Sequence, residues 1–185
     1  MSIRPLAIAA IILLAALSRL LPHPPNFAPI TALAVFGAVR YSNRWTALLT
    51  PLAALFASDL VREVLYRYGL AEQWGIYRGM GIVYGATAGI ALMSRLSRGT
   101  RSASVVAATT LAGACLFFIV TNFAVWAGGS SYPPTAEGLV SCYAAAIPFF
   151  RNALFGDLFY ASVLFGVWSI AESRVPALRP AAVGA

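Results

Sequence analysis

Long apolar stretches, each closed by a short polar or proline-rich break, dominate the pattern along the chain. A helix needs roughly 20 apolar residues to cross a bilayer, and six stretches approach that length. They are residues 5–21, 28–41, 45–66, 79–96, 102–127 and 148–171. The second is short and contains Pro29, so it is expected to be kinked or incomplete. The pattern predicts an all-α integral membrane protein, a single domain of six transmembrane helices over residues 1–185.

The breaks define the ends of these stretches. The first ends at Pro22-His-Pro-Pro25, because proline cannot continue a helix. The strongest loop signal is Gly128-Gly-Ser-Ser-Tyr-Pro-Pro134. The first stretch, which follows Arg4, also resembles a signal peptide. It runs on to Leu21, Arg19 interrupts any A-x-A-type cleavage site, and more spans follow, so we interpret it as a membrane helix.

Composition supports the membrane class. The chain is 60% hydrophobic and 10% charged, with a mean hydropathy of +0.78, whereas a soluble domain is about half apolar and about a quarter charged. The net charge is +7. The basic residues are all arginines, scattered between apolar segments, which argues against a nucleic-acid partner.

Cys115 and Cys142 form neither a C-x-x-C pair nor a disulfide framework.

The arginines also indicate an orientation. With the N-terminus inside, eight would lie at inner ends, namely Arg4, Arg40, Arg44, Arg95, Arg98, Arg101, Arg174 and Arg179. Five would lie at outer ends, namely Arg19, Arg62, Arg67, Arg78 and Arg151. By the positive-inside rule both termini are expected in the cytoplasm, with the chain crossing the membrane several times.

Polar groups of both signs gather at the outer ends under this orientation. If Pro148 opens the sixth helix, Arg151 and Asn152 lie in or next to its first turn and Asp157 lies about 9 Å deeper than Arg151. A carboxylate at that depth is costly against lipid, so it should face the bundle or a water-filled cavity. Asp157 is therefore part of a ligand-facing wall or of a structural ion pair.

The third helix carries a polar face near its outer end. Asp59, Arg62, Glu63 and Tyr66 follow i, i+3, i+4, i+7 spacing and share one side of a helix. This face is either a binding surface or a self-neutralising interfacial cluster, with Arg62 reaching outward to water.

The fifth helix carries a second stripe that ends at the outer side, formed by Cys115, Phe118, Asn122 and Trp126. Asn122 could bond a ligand or a neighbouring helix, and Trp126 could stack on a ligand or anchor the interface. With the stiff proline segment around His23, these patterns give the predicted substrate-binding set. It is His23, Asn26, Asp59, Arg62, Tyr77, Asn122, Trp126, Arg151, Asn152 and Asp157.

Gly81, Gly85 and Gly89 form overlapping G-x-x-x-G steps, which predict close helix packing. The sequence contains no Walker A lysine motif, no H-E-x-x-H, no G-x-S-x-G and no dense carboxylate–histidine cluster. We therefore expect no enzyme activity, no cofactor and no metal site, and the chain cannot draw energy from nucleotide by itself.

Several segments carry a family resemblance. They are Arg19-Leu-Leu-Pro-His-Pro-Pro-Asn-Phe-Ala-Pro-Ile30, Ser58-Asp-Leu60, Tyr84-Gly-Ala-Thr-Ala-Gly89, Thr121-Asn-Phe-Ala-Val-Trp126 and Ile147-Pro-Phe-Phe-Arg-Asn152. From about Arg19 to Gly166 the chain resembles a bacterial membrane family of unknown function. That family looks like a relative of the substrate-binding S components of energy-coupling-factor (ECF) vitamin transporters, the solitary cobalamin-binding ones in particular.

The resemblance implies a six-helix bundle with a pocket under the outer loops, for which His23, Asp59 and Arg151 are the matching positions. It implies capture of a small vitamin-like or metal-chelate solute, a cobalamin-type compound among them, and partnership with a transmembrane subunit and ATPases. The cobalamin members use a cysteine as a cobalt ligand in the third connection. Here that connection, Arg67 to Arg78, contains none, which speaks against cobalt–thiolate ligation.

Two other classes compete with solute capture. A structural membrane scaffold of the cell-shape type would have the same composition, but its polar groups would pair off and leave no cavity. A membrane enzyme acting on lipid or a captured cofactor would need a nucleophile or metal site, which only Cys142, His23 and the carboxylates could supply. Solute capture predicts a closed pocket lined by Asp59, Asn122 and Arg151.

Overall fold

The computed structural model describes residues 3–129 and 131–179, and this part of the chain contains helices and no strand. The six α-helices are α1 (Arg4–Leu17), α2 (Ile30–Arg40), α3 (Arg44–Arg67), α4 (Met80–Ser94), α5 (Ala103–Ala127) and α6 (Ala136–Arg174). Short 3-10 turns follow α1, α4 and α6 at Ser18–Leu20, Arg95–Ser97 and Pro176–Leu178. The all-helical class with six helices is confirmed.

Two of the helices, α5 and α6, are long and apolar enough to cross a membrane. By contrast, α1, α2 and α4 have 14, 11 and 15 residues, fewer than the roughly 20 that a span requires. The first five predicted stretches coincide closely with α1 to α5, so the apolar pattern located these helices well.

The sixth stretch is the exception, because α6 begins at Ala136 and runs through Pro148. The Thr135 hydroxyl caps its start by accepting from the Gly138 N–H at 3.2 Å. The expectation that Pro148 opens the helix and places Arg151 in its first turn is therefore wrong. An interior proline costs about 3 kcal/mol, and the antiparallel packing of α5 along α6 offsets this cost. The Tyr143 hydroxyl, for example, donates to the Ile119 carbonyl at 2.7 Å.

Helix α2 forms the centre of the bundle. It packs against each of the other five helices, and every residue from Thr31 to Val39 is buried. Its 11 residues rise only about 16 Å, and its ends lie next to the buried residues Pro29 and Tyr41. The free N–H and C=O groups at these ends therefore need partners inside the protein.

Asp157 supplies the partner at the N-terminal end of α2. Pro29 occupies the cap position and has no side-chain acceptor. Instead, Oδ1 of Asp157 accepts from the backbone N–H of Thr31 at 3.0 Å and of Ala32 at 3.2 Å. These are the second and third residues of the helix, the groups that a capping side chain normally serves. A carboxylate of α6 thus caps α2 from across the bundle.

Arg95 supplies the partner at the C-terminal end. Its Nη1 donates to the carbonyl oxygens of Ala38 at 3.0 Å and Tyr41 at 2.6 Å, and its Nη2 donates to Ser42 at 2.9 Å. A negative charge at the N-terminus of a helix and a positive charge at its C-terminus both favour the helix dipole. The carboxylate of Asp157 therefore stabilises the N-terminus of α2, and the guanidinium of Arg95 stabilises its C-terminus.

The closest helix contacts also involve α2. A Cβ atom on Gly37 would lie 2.7 Å from Cγ of Pro51, and one on Gly113 would lie 2.6 Å from Cγ2 of Thr31. By contrast, Gly81 and Gly85 have no atom of the described chain near the position of a Cβ, and Gly89 meets only Leu116 at 3.9 Å. The predicted G-x-x-x-G face is thus open rather than packed within this chain, because α4 turns other residues toward α2.

We expect Asp157→Ala to lower the free energy of unfolding by about 3 kcal/mol, because two buried N–H groups of α2 lose their acceptor. Asp157→Asn retains an oxygen at the same position and should cost about 1 kcal/mol. Chemical unfolding of the detergent-solubilised proteins measures both values. Equal stability of the alanine and asparagine variants would contradict the capping role.

Candidate functional site

The predicted binding residues lie at one end of the bundle, formed by the connections 21–29, 68–79 and 128–135, which we call the polar end. They do not form one site there. Apart from Asp157, which caps α2, the structure divides them into three groups: a buried charge network around Arg19, a set of contacts that holds the loop 21–29 (the proline loop), and residues of α5 and α6 near the polar end.

A buried ion pair forms the core of the first group. Nη1 of Arg19 donates to Oδ1 of Asp59 at 2.8 Å and to Oγ of Ser58 at 2.6 Å. The Tyr84 hydroxyl donates to the other carboxylate oxygen at 2.7 Å. Arg19 is 8% exposed and Asp59 is 2% exposed. Asp59 is thus buried, and protein groups bond both of its carboxylate oxygens.

Sequence reasoning missed Arg19 and Tyr84 as the partners of Asp59. A signal was available, since a charge inside an apolar stretch requires an opposite charge nearby. Arg19 and Asp59 were such charges in the first and third stretches. The pattern could not show that α1 and α3 are neighbours, so the pairing stayed open.

Arg62, His23 and Tyr77 surround this ion pair. Nη2 of Arg62 donates to the Arg19 carbonyl oxygen at 2.9 Å, and Nε2 of His23 lies 3.3 Å from the same oxygen. Arg62 is half-buried, and no carboxylate of the described residues lies within salt-bridge distance of it. Burial raises the pKa of the Tyr77 phenol, and the charge of Asp59 raises it further. Tyr77 therefore stays protonated and can donate.

The connection 68–79 covers Asp59 from outside. Oε2 of Glu63 accepts from the backbone N–H of Gly75 and of Ile76, each at 3.2 Å. Gly75 lies so close to α3 that a Cβ atom there would overlap the backbone oxygen of Asp59. Glu63 also pairs with Arg67 at 2.9 Å. These contacts press the connection onto α3, which explains why the ion pair is not open to solvent.

The proline loop is held by the second group. Nδ2 of Asn152 donates to the Pro25 carbonyl at 3.2 Å. Asn26 has a φ of 62°, a left-handed conformation that asparagine tolerates better than most residues. This conformation closes a turn in which the Phe27 N–H donates to the Pro24 carbonyl at 3.0 Å. Asn26 and Asn152 therefore shape the loop.

The third group lies where α5 and α6 pair beyond the proline loop. Nδ2 of Asn122 donates to the Phe118 carbonyl of its own helix at 2.8 Å, and Nε1 of Trp126 donates to the Pro133 carbonyl at 3.0 Å. A cavity of about 150 Å³ lies beside Asn122 and Cys142. Its volume is well below the roughly 300–1,000 Å³ of typical ligand pockets.

A larger cavity, of about 780 Å³, lies between α5 and the C-terminal half of α6 at the opposite end of the bundle. We call this the arginine end, because Arg40, Arg101 and Arg179 line the cavity there. Neither cavity is lined by Asp59 or Arg151. The expectation of a pocket shared by Asp59, Asn122 and Arg151 is therefore not met by these cavities, because the buried ion pair and the α5–α6 pairing separate the three residues.

No group of three or more histidine, cysteine, aspartate or glutamate residues in the described ranges could hold a metal ion. The fold and the site define an all-helical protein with two helices long and apolar enough to cross a membrane, with ionic groups buried at one end and arginines gathered at the other. The chain belongs to a family of unknown function, DUF6580, which matches residues 1–178. No curated protein and no solved structure matches it.

We expect Arg19→Met to lower the free energy of unfolding by about 4 kcal/mol, because Asp59 would remain buried without its cation. The double variant Arg19→Met with Asp59→Asn should recover part of that loss, since it leaves no buried charge. Unfolding in detergent of the parent, the two single variants and the double variant measures the coupling. Strictly additive losses would show that the two side chains do not stabilise each other.

Proposed function

We propose that this chain is a six-span membrane protein that captures a small anionic solute at its polar end, as the solute-binding component of a transport system. One observation carries the proposal. Two arginines that form no salt bridge among the described residues, Arg62 and Arg151, lie next to groups that contact either side of the proline loop.

Contacts next to each arginine relate it to the proline loop. At one side, His23 and Arg62 both approach the carbonyl oxygen of Arg19. At the other side, the carbonyl oxygen of Pro25, two residues after His23, accepts from Asn152, which follows Arg151 in α6. Arg151 is exposed and makes no salt bridge with the described residues. Positive charge on both sides of a fixed loop favours an anionic ligand.

Arginine suits a solute that carries a carboxylate or phosphate, because its planar guanidinium can bind such a group through two hydrogen bonds. Vitamin-like and metal-chelate solutes, cobalamin-type compounds among them, commonly carry these groups. The resemblance to S components of ECF transporters agrees with this class of solute. A transmembrane subunit and ATPases would then supply the energy that this chain does not.

Exposed apolar side chains support the six-span arrangement in a bacterial inner membrane. Leu14 in α1, Leu49 in α3 and Phe155 in α6 are 68%, 56% and 62% exposed, and a soluble monomer rarely exposes so many large apolar groups. The short α2 would complete its crossing through the proline loop. Irregular backbone is tolerated at membrane depth where protein surrounds it.

The topology can be tested by labelling single cysteines placed in the exposed connections, after Cys115 and Cys142 have been replaced by alanine. We expect a membrane-impermeant maleimide to label Ser131→Cys in intact cells, and Ser42→Cys only after lysis, because the arginine distribution places both termini inside. Labelling of Ser42→Cys but not of Ser131→Cys in intact cells would show that the orientation is the opposite of the predicted one. Labelling of both positions would contradict the number of crossings.

A structural scaffold is the second candidate, and a specific observation favours it. Asp59 and Asp157, the two carboxylates predicted to face a solute, are instead buried against Arg19 and against the backbone of α2. A scaffold requires only such internal partners. The two candidates differ over Arg151, which a scaffold does not need.

The solute proposal predicts that Arg151→Ala loses a small molecule that co-purifies with the parent, while its thermal unfolding in detergent stays unchanged. Arg98→Ala, an exposed arginine at the other end, is the matched control and should retain the molecule. Mass spectrometry of extracts from the purified proteins measures the loss. Retention by Arg151→Ala at the parental level would refute the site, and a parent without any co-purifying solute would favour the scaffold.

A further inference from the structure

The cavity at the arginine end has properties that solute capture at the polar end does not use. Its volume of about 780 Å³ falls within the roughly 300–1,000 Å³ of ligand pockets. It lies between the first turns of α5 and the C-terminal half of α6, the two helices that are long and apolar enough to cross a membrane.

Small and apolar side chains form the walls of this cavity. The residues that α6 contributes, among them Leu158, Ser162, Gly166 and Ser169, recur every three or four positions and so share one face. Across from them, α5 contributes Ala103, Val106 and Ala107. Because most of these side chains are small, α5 and α6 leave a gap wide enough for a hydrocarbon chain.

One end of the cavity carries an excess of positive charge. Arg40, Arg101 and Arg179 line it, against the single carboxylate of Glu172. Glu172 already accepts from Arg4 at 2.7 Å and from Arg101 at 3.2 Å. Arg179 donates only to the backbone carbonyls of Glu172 and Ser173 in the described structure. The single negative charge of Glu172 therefore does not neutralise all the arginines at this end of the cavity.

Arg40 lies at the boundary between the apolar wall and the charged end. Its Nη1 donates to the Thr100 carbonyl at 3.1 Å, and its guanidinium lies 4.8 Å from the centre of the Phe165 ring. Its Nε is buried and has no acceptor among the described residues. No carboxylate there lies within salt-bridge distance of it. Arg40 thus retains a hydrogen-bond donor and a charge that forms no salt bridge next to the apolar wall, with Glu172 as the nearby carboxylate.

We infer that this cavity binds an anionic phospholipid, with its phosphate at Arg40 and Arg101 and an acyl chain between α5 and α6. The combination of a charged end and an apolar wall matches an amphiphile rather than a free anion. Basic pockets between membrane helices are a general form of lipid head-group site. The inference concerns the arginine end and does not depend on solute capture at the polar end.

The test is native mass spectrometry of the full chain in detergent with added phosphatidylglycerol, phosphatidylcholine or inorganic phosphate. We expect phosphatidylglycerol to bind the parent about tenfold more tightly than phosphatidylcholine, because only the former presents a net negative charge to the arginines. Arg101→Gln, at an exposed position, should weaken phosphatidylglycerol binding by about tenfold without affecting the fold.

A matched pair of glycine variants distinguishes lipid binding in the cavity from nonspecific lipid binding to the protein surface. Gly166→Leu fills the cavity and should abolish tight binding, whereas Gly85→Leu is the control on α4. At both glycines the position of a Cβ is free of contacts, so a side chain can begin there without a clash at that atom. Equal binding of the two lipids, or unchanged binding by Gly166→Leu, would overturn the inference. Inorganic phosphate that binds as tightly as phosphatidylglycerol would also overturn it, in favour of a free anion.

Discussion

The structure depends on keeping an 11-residue helix buried at the centre of the bundle. A buried helix end exposes N–H or C=O groups that cannot reach water, and each unpaired group costs free energy. Asp157 satisfies the N-terminus of α2 from the sixth helix, and Arg95 satisfies its C-terminus from the end of the fourth. These two contacts fix where α4 and α6 sit relative to α2, and therefore where both ends of the bundle place their charges.

Internal contacts of this kind account for several of the polar groups in the apolar segments. Asp157 caps a helix, Asp59 neutralises Arg19, and Asn152 holds the proline loop. A search for ligand-facing groups by polarity alone therefore finds structural partners first. The groups left over are arginines, namely Arg62 and Arg151 at the polar end and Arg40 at the other. They form no salt bridge among the described residues, so an external anion could pair with each of them.

The two ends of the molecule offer different environments for such an anion. At the polar end, the connection 68–79 lies directly on α3 and covers the buried ion pair, so the remaining charge lies along the proline loop. At the arginine end, small residues of α5 and α6 leave an apolar cavity beside the charge. A compact polar solute suits the first environment, and an amphiphile with a long chain suits the second.

The sequence by itself determined the helical class, the positions of α1 to α5 and the shortness of α2, because apolar periodicity and proline breaks are local signals. It did not determine the partners. Arg19 bonds Asp59, which lies forty positions away in the sequence, and Thr31 bonds Asp157 across 126 positions. Such pairs form only when the helices pack against one another in the folded protein. The run of α6 through Pro148 has the same origin, because packing against α5 outweighs a local helix-breaking signal. The cavity at the arginine end is likewise tertiary, since the space between two helices appears in no single segment.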